Sequence, residues 1–339
     1  IPFFPIKIVI NPSFAAGQGV SKQEKAVMDL DGDGFADMLD SDNDAHLTAT
    51  TSKIGRTNML RSVRGPLGGY FAVDYSRVGN TYDLPQSKWV MSSLEVFDGV
   101  QGDGVDTMRQ RFEYEGGLQE RHEREFYGFR RVITRDLNTA QNNIVYRSRI
   151  QEFSNSTYYT KGLLSSEWVE DAAGNKYTQT INEYTIDSLQ MFVQWPKLSK
   201  VTKLFFEGQP TAGTSTYTQY QYDDFGNITM VYDAGDGLPQ DWLRTDITYH
   251  DLAAIYKKDV PSGVQVSTAD GVKRRRTTNI NESGVVLKIR QYLADNTFAD
   301  TDFDYDDYGN VTRITRPANY KNERMFHSYE YDDVVHKYI

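Results

Sequence analysis

The chain of 339 residues contains no cysteine, so neither a disulfide framework nor thiol chemistry is available to it. It also has no run of about 18 apolar residues, the minimum for a membrane-spanning helix. Positive charge is in deficit, with a formal net charge of −10 and a pI near 5.1. Nucleic-acid binders and anionic-membrane binders need a basic face, so both classes are disfavoured. We expect the basic cluster 273–276 to lie on an outward strand face or to pair with the acidic excess.

Catalytic constellations are missing as well. The five histidines are scattered along the chain and fall in no paired spacing. No Gly-x-Ser-x-Gly elbow, His-Glu-x-x-His helix or phosphate-binding glycine loop occurs. We therefore predict that the chain is not an enzyme and has no catalytic residue.

Aromatic residues, in contrast, are abundant at 13%, with 23 tyrosines and 17 phenylalanines. Tyrosine at this frequency suits half-buried sheets in which the ring packs and the hydroxyl stays in water. Amphipathic helical periodicity is almost absent, because Thr, Val, Tyr and Gly occupy positions where a helix favours Ala, Leu and Glu. The composition predicts an all-β fold.

Two stretches of the chain are near copies, Tyr-Asp-Asp-Phe-Gly-Asn-Ile-Thr at 222–229 and Tyr-Asp-Asp-Tyr-Gly-Asn-Val-Thr at 305–312. A third copy begins at Tyr331, and degenerate turns occur at 171–175 and 281–285. Each copy predicts a β-hairpin in which Gly226 or Gly309 adopts a positive φ. A hairpin alone is marginal in water, so the repeats imply a larger sheet. Candidate positions on its wall are Tyr220, Tyr222, Phe303 and Tyr305.

An acidic loop near the start carries the sharpest chemical pattern. Its carboxylates fall at positions 1, 3, 5, 9 and 12 of a calcium-loop spacing, and the residue at position 7 would offer its carbonyl. The predicted Ca²⁺ ligands are Asp29, Asp31, Asp33, Phe35, Asp37 and Asp40. The flanks are strand-like, which is similar to the calcium loops of FG-GAP or VCBS propeller blades. The alternative is a solvated Asp/Gly turn whose side chains bond to the loop backbone.

The tyrosine–aspartate hairpins resemble the YD repeats of Rhs proteins. The stretch 59–135 resembles the region between propeller and repeats in the SpvB/TcB family, which includes the B component of insecticidal toxin complexes. Its most specific element is Glu-Phe-Tyr-Gly-Phe at 125–129. The resemblance divides the chain into a propeller-like segment at 1–50, a middle β region at 51–166 and a truncated YD-repeat shell at 167–339.

In this family the YD strands form a hollow β-shell that encloses a toxic C-terminal polypeptide. The resemblance thus implies an internal fragment of a secreted bacterial toxin that acts as scaffold, in a longer polypeptide. The implied partners are a cargo toxin domain of the same polypeptide and a toxin-translocation component docked on the propeller. The alternative function is an extracellular adhesion module in which the repeats bind glycans or a cell-surface partner.

Overall fold

The fold is nearly all β in this computed structural model, which describes residues 24–32, 34–43, 45–54, 57–100, 102, 104–293 and 297–339. These residues form 21 strands and two single-turn 3₁₀ helices, Thr139–Gln141 and Ala253–Ile255. The predicted all-β class is confirmed. In the same residues, no helix has the length and apolar character needed to cross a membrane.

The chain divides into two units, one of Ile1–Leu60 with Arg77–Val90 and one of Arg61–Ser76 with Met91–Ile339. The first unit contains a three-stranded antiparallel sheet of β1 (Lys25–Met28), β2 (Asp37–Asn43) and β3 (His46–Thr50). Because residues 1–23 lie outside the described part of the chain, the propeller remains a prediction.

All other strands form one antiparallel sheet in which each strand pairs with the next in sequence. The strands are β4 (Ser62–Arg64), β5 (Tyr70–Val78), β6 (Lys88–Phe97), β7 (Thr107–Glu120), β8 (Glu125–Asn138), β9 (Ile144–Phe153), β10 (Leu164–Asp171), β11 (Lys176–Gln190), β12 (Val193–Phe205), β13 (Thr214–Tyr222), β14 (Ile228–Asp233), β15 (Leu243–Tyr249), β16 (Pro261–Thr268), β17 (Gly271–Ile280), β18 (Val286–Tyr292), β19 (Phe298–Tyr305), β20 (Val311–Ala318) and β21 (Arg324–Ser328). The predicted boundary between residues 166 and 167 lies inside β10.

Few side chains of this sheet are buried. A sheet packed on a core on one side shows alternating buried and exposed residues, yet every residue of β16 is half-buried. The main buried cluster is a cross-strand row of Ile133, Ile150 and Trp168 on β8, β9 and β10. Pairs between neighbouring strands therefore supply most of the contacts that stabilise the sheet.

Candidate functional site

The Tyr305 repeat ends in a turn that is closed by Asp306 and Asn310. The Asp306 N–H donates to the Asn310 carbonyl at 3.0 Å, and the Gly309 N–H donates to the Asp306 carbonyl at 3.1 Å. Oδ1 of Asp306 accepts from the N–H groups of Tyr308 and Asn310 at 3.0 and 2.8 Å. Gly309 has a φ of +86°, in the left-handed region that favours glycine. The predicted hairpin of β19 and β20 is confirmed.

The same turn recurs along the sheet, with Asp or Asn as the residue that closes it. Asp223 and Asp171 repeat the contacts of Asp306, including a bond from the asparagine side chain four residues on at 2.9 and 3.0 Å. At 281–285 the closing residue is Asn281, whose Oδ1 accepts from two backbone N–H groups. A further copy at 319–323 is closed by Asn319. The repeat pattern does not predict this turn, because Asn322 replaces the glycine.

Five tyrosines connect neighbouring parts of the sheet through their hydroxyls. Tyr222, Tyr305 and Tyr331 begin repeats, and Tyr184 and Tyr249 lie on β11 and β15. Each hydroxyl donates to a backbone carbonyl 19 to 24 residues earlier in the chain. The five pairs are Tyr184 with Leu164 at 3.0 Å, Tyr222 with Leu198 at 2.9 Å, Tyr249 with Ile228 at 2.8 Å, Tyr305 with Val286 at 2.8 Å and Tyr331 with Val311 at 3.1 Å. The expectation that these hydroxyls stay in water is wrong. Their acceptors were not predictable from one repeat alone.

Three of these bonds end directly beyond a repeat turn. Ile228 and Val311 follow the turn asparagines Asn227 and Asn310, and Val286 follows the turn at 281–285. The asparagine side chains extend the connection, because Asn227 Nδ2 donates to the Lys258 carbonyl at 2.9 Å. Asn310 Nδ2 donates in the same way to the His336 carbonyl at 2.8 Å. The turns at 223–227 and 306–310 are thereby hydrogen-bonded to chain segments that follow them.

These contacts shift the ionisation of the repeat side chains. Burial raises the pKa of Tyr222, Tyr249 and Tyr305. Burial also acts to raise the pKa of Asp306, but the hydrogen bonds from Asn310 and from the turn backbone outweigh it and lower that pKa. The carboxylates of the turns are therefore held in their charged form.

The acidic loop belongs to the first unit, between β1 and β2. One carboxylate oxygen from each of Asp29, Asp31 and Asp37 lies within 4.8 Å of the others. Two oxygens bound to one Ca²⁺ at about 2.3–2.6 Å lie at most about 5 Å apart, so these three carboxylates fit a common ion. The flanks are strands, as the sequence predicts, rather than the helices of an EF-hand.

Each of these three carboxylates also has partners within the first unit. Asp37 is almost fully buried and accepts from the N–H groups of Ser52 and Leu30 at 2.7 and 2.8 Å. These two bonds lower the pKa of Asp37. Asp29 accepts from the Gly34 N–H at 2.9 Å, and the Arg77 guanidinium lies 3.6 Å from Asp31. The bonds within the loop are those expected of an Asp/Gly turn, and the spacing of the three carboxylates is that expected of a Ca²⁺ site.

The other predicted ligands are placed differently. Asp40 lies on β2 and pairs with Lys25 of β1 at 3.4 Å, apart from the three clustered carboxylates. Phe35 is half-buried in the loop, and Asp33 lies outside the described residues. The structure thus brings together three of the six predicted ligands.

From β13 to β20 the register separates two faces of the sheet with different chemistry. One face, the aliphatic face, carries mostly β-branched and aromatic residues and includes the predicted wall positions Tyr220 and Phe303. Its members include Thr218, Tyr220, Val231, Asp233, Leu243, Thr245, Ile247, Val264, Val266, Arg274, Arg276, Thr278, Ile289, Gln291, Ala299, Thr301, Phe303 and Ile314.

The opposite face, the ion-pair face, carries charged side chains that neutralise one another. Arg290 contacts Asp300 at 2.8 Å, and Lys288 lies between Asp300 and Asp302 at 3.4 and 3.3 Å. The pair of Arg244 and Asp246, at 2.7 Å, continues the same face on β15. Such partly exposed pairs contribute roughly 0–1 kcal/mol each to stability. Their main effect is to neutralise the charge on this face.

Comparison with known proteins agrees with this geometry. Residues 14–164 match the family model of the insecticide toxin TcdB middle/N-terminal region. This region of the chain is similar to that toxin region. The predicted resemblance to the TcB family is thereby confirmed. No curated protein sequence matches the chain.

Solved structures extend the similarity beyond residues 14–164. A TcdB2-TccC3 crystal structure without its hypervariable C-terminal region matches 86% of this chain with a TM-score of 0.64 and 12% identity. The Photorhabdus luminescens Tc holotoxin pore matches 91% with a TM-score of 0.61 and 11% identity. At these identities the likeness shows the fold. The chain spans 23% and 24% of the two matched chains.

Proposed function

We propose that the chain is a wall segment of a Tc-type toxin component, in which its sheet forms part of a shell around a C-terminal toxic polypeptide. The observation that carries the proposal is the set of five tyrosine and two asparagine side-chain bonds, which connects neighbouring parts of a sheet that has few buried side chains. A wall around a cargo must be stable while one face borders the cargo and the other borders solvent. Half-buried residues on both faces of strands such as β16 suit that requirement.

The role of the chain in this proposal is mechanical and involves no catalysis. Continuous pairing from β4 to β21 protects the backbone edges of the inner strands, which otherwise promote aggregation. The partners would be the cargo region of the same polypeptide and a translocation component. Secretion and delivery outside the bacterial cell follow from that role and are part of the proposal.

For the acidic loop we propose a structural Ca²⁺ ion held by Asp29, Asp31 and Asp37. The spacing of their oxygens supports it, and six to eight hard oxygen ligands are typical of Ca²⁺. Backbone carbonyls and water would supply the others. A cation would also relieve the repulsion among these neighbouring carboxylates.

The adhesion module is less well supported. Glycan binding by the repeat tyrosines would require free hydroxyls and open ring faces, whereas the hydroxyls of Tyr222 and Tyr305 already donate to carbonyls within the sheet. Glycan-array binding that disappears with Tyr-to-Ala changes in the 222 and 305 repeats would favour the adhesion module over the shell.

Limited proteolysis tests the shell directly. The chain would be produced with the rest of its open reading frame and treated with a non-specific protease under native conditions. We expect the region that follows the repeats to be protected until the sheet is unfolded with denaturant. Rapid cleavage of that region in the native protein, with the sheet intact, would contradict enclosure.

A further inference from the structure

Arg274 and Arg276 differ from most other strand arginines of the sheet because they lie on the aliphatic face. On β17 they are opposite Val266 and Val264 of β16, and Arg276 is opposite Gln291 of β18. In the described residues neither guanidinium has an ion pair or a hydrogen bond. Both side chains are exposed.

The sheet itself separates these two arginines from acidic groups. From β15 to β19, every aspartate of the described strands lies on the ion-pair face, namely Asp246, Asp300, Asp302 and Asp304. The aliphatic face of the same strands carries no acidic side chain. The sequence predicts that the basic cluster 273–276 lies on an outward strand face or pairs with the acidic excess. Lys273 pairs with Asp270 at 3.2 Å, and Arg274 and Arg276 are exposed on their strand.

The surface around Arg274 and Arg276 forms a groove with a smaller recess beside it. A groove of about 530 Å³ is lined by Val264, Val266, Gln291, Tyr292 and the three arginines Arg274, Arg275 and Arg276. The Arg275 guanidinium lies over the Tyr292 ring at 4.6 Å. A mostly apolar recess of about 160 Å³ shares Val264 and Arg276 with it and is also lined by Ile289 among others. Guanidinium groups and valine side chains thus line the same groove, next to a small and mostly apolar recess.

We propose that this groove binds an extended acidic polypeptide segment through Arg274 and Arg276. Residues i and i+2 of a strand lie about 7 Å apart on one face, which is the spacing of alternate carboxylates in an extended peptide. The guanidinium group matches a carboxylate in two parallel hydrogen bonds. The recess accepts an apolar side chain next to the carboxylates. This inference does not depend on the shell.

A polypeptide fits this groove better than a nucleic acid does. Nucleic-acid binding relies on several phosphate contacts from a basic surface, and here two arginines act within a chain of net charge −10. An apolar recess also has no counterpart in a phosphate backbone. Charge complementarity therefore favours acidic side chains on an extended polypeptide.

The test uses fluorescence anisotropy with a labelled peptide of alternating Glu and Thr ending in Leu. A peptide of the same composition with its Glu residues in one block is the comparison. The full chain carries either the double change Arg274→Gln with Arg276→Gln, or the charge-matched double change Lys273→Gln with Arg313→Gln, two exposed residues that do not line the groove. Circular dichroism and thermal unfolding check that both variants are folded.

We expect the alternating peptide to bind at low salt, and the Arg274/Arg276 variant to raise its Kd about tenfold, a loss typical of two partly exposed ion pairs. The Lys273/Arg313 variant should change the Kd much less. Equal losses in the two variants, equal affinity for the block peptide, or tighter binding of single-stranded DNA would each overturn the proposal. Binding that is absent at low salt would overturn it as well.

Discussion

The hydroxyl of Tyr305 donates a hydrogen bond to the carbonyl oxygen of Val286 at 2.8 Å. This bond connects two repeat turns. Tyr305 is the last residue of β19, before the turn at 306–310, and Val286 is the first residue of β18, after the turn at 281–285. Tyr305→Phe removes this bond and leaves the ring in place. Because a net hydrogen bond contributes about 0.5–1.5 kcal/mol, we expect a loss of that size in the free energy of unfolding, measured by urea denaturation.

Tyr308 offers a matched control for this change. It lies in the same repeat, is 67% exposed and stacks on His336 at a ring distance of 3.9 Å, a contact that phenylalanine preserves. Tyr308→Phe should leave the free energy of unfolding nearly unchanged. Equal effects of the two substitutions would mean that the hydroxyl bond of Tyr305 does not stabilise the repeat.

Two turn glycines should respond differently to alanine. Gly309 has a φ of +86° and no atom within 4 Å of an added Cβ, whereas at Gly284 the Cβ would lie 2.6 Å from Lys257 Cδ and 2.9 Å from Leu252 Cδ1. Gly309→Ala therefore adds only backbone strain of about 1–2 kcal/mol. Gly284→Ala adds steric overlap, so its loss of unfolding free energy should be larger in the same denaturation assay. A smaller loss at Gly284 would contradict the packing of that turn.

The turn aspartates predict how stability depends on pH. The folded pKa of Asp306 is lowered, so its contribution is complete above the unfolded value of about 3.9 and is lost as pH falls through the folded pKa. Asp306→Asn keeps the two backbone acceptor contacts, as Asn281 does naturally, and cannot be protonated. We expect the thermal midpoint of this variant to fall less than that of the unaltered chain below about pH 4.

Asp307→Asn is the control for the pH experiment. Asp307 is the exposed neighbour of Asp306, and its substitution should leave the pH dependence as it is. An Asp306→Asn variant with the same acid sensitivity as the unaltered chain would show that the turn carboxylate does not govern it.

The turns and strands were predictable because their chemistry is local. An Asp followed by Gly-Asn specifies its own turn within five residues, which is why 223–227 and 306–310 are recognised from sequence. The partner of Tyr305 was not predictable, because Val286 is brought near by strand pairing 19 residues away. For the same reason, only the register of β1 and β2 reveals that Asp40 contacts Lys25. The separation of charge onto one face depends on the accumulated register of eight strands.

Calcium removal tests the acidic loop. A ligand that binds only the folded state stabilises it in proportion to the logarithm of its concentration, so chelator should lower the melting temperature and added Ca²⁺ should raise it. Asp31→Ala should abolish this difference. Asp40→Ala should have a smaller effect, because Asp40 contacts Lys25 at 3.4 Å instead of the clustered carboxylates. Identical melting with and without Ca²⁺ would leave the loop as an ordinary Asp/Gly turn.

The central claim is that the hairpins are the wall of a hollow shell, and an electron-microscopy map of the protein with its complete open reading frame tests it most directly. We predict a closed β-sheet wall around an internal cavity, with the repeats of Tyr222 and Tyr305 in the wall. The cavity should hold weak density from an unfolded chain. A compact, filled core with no cavity behind these repeats would contradict the claim.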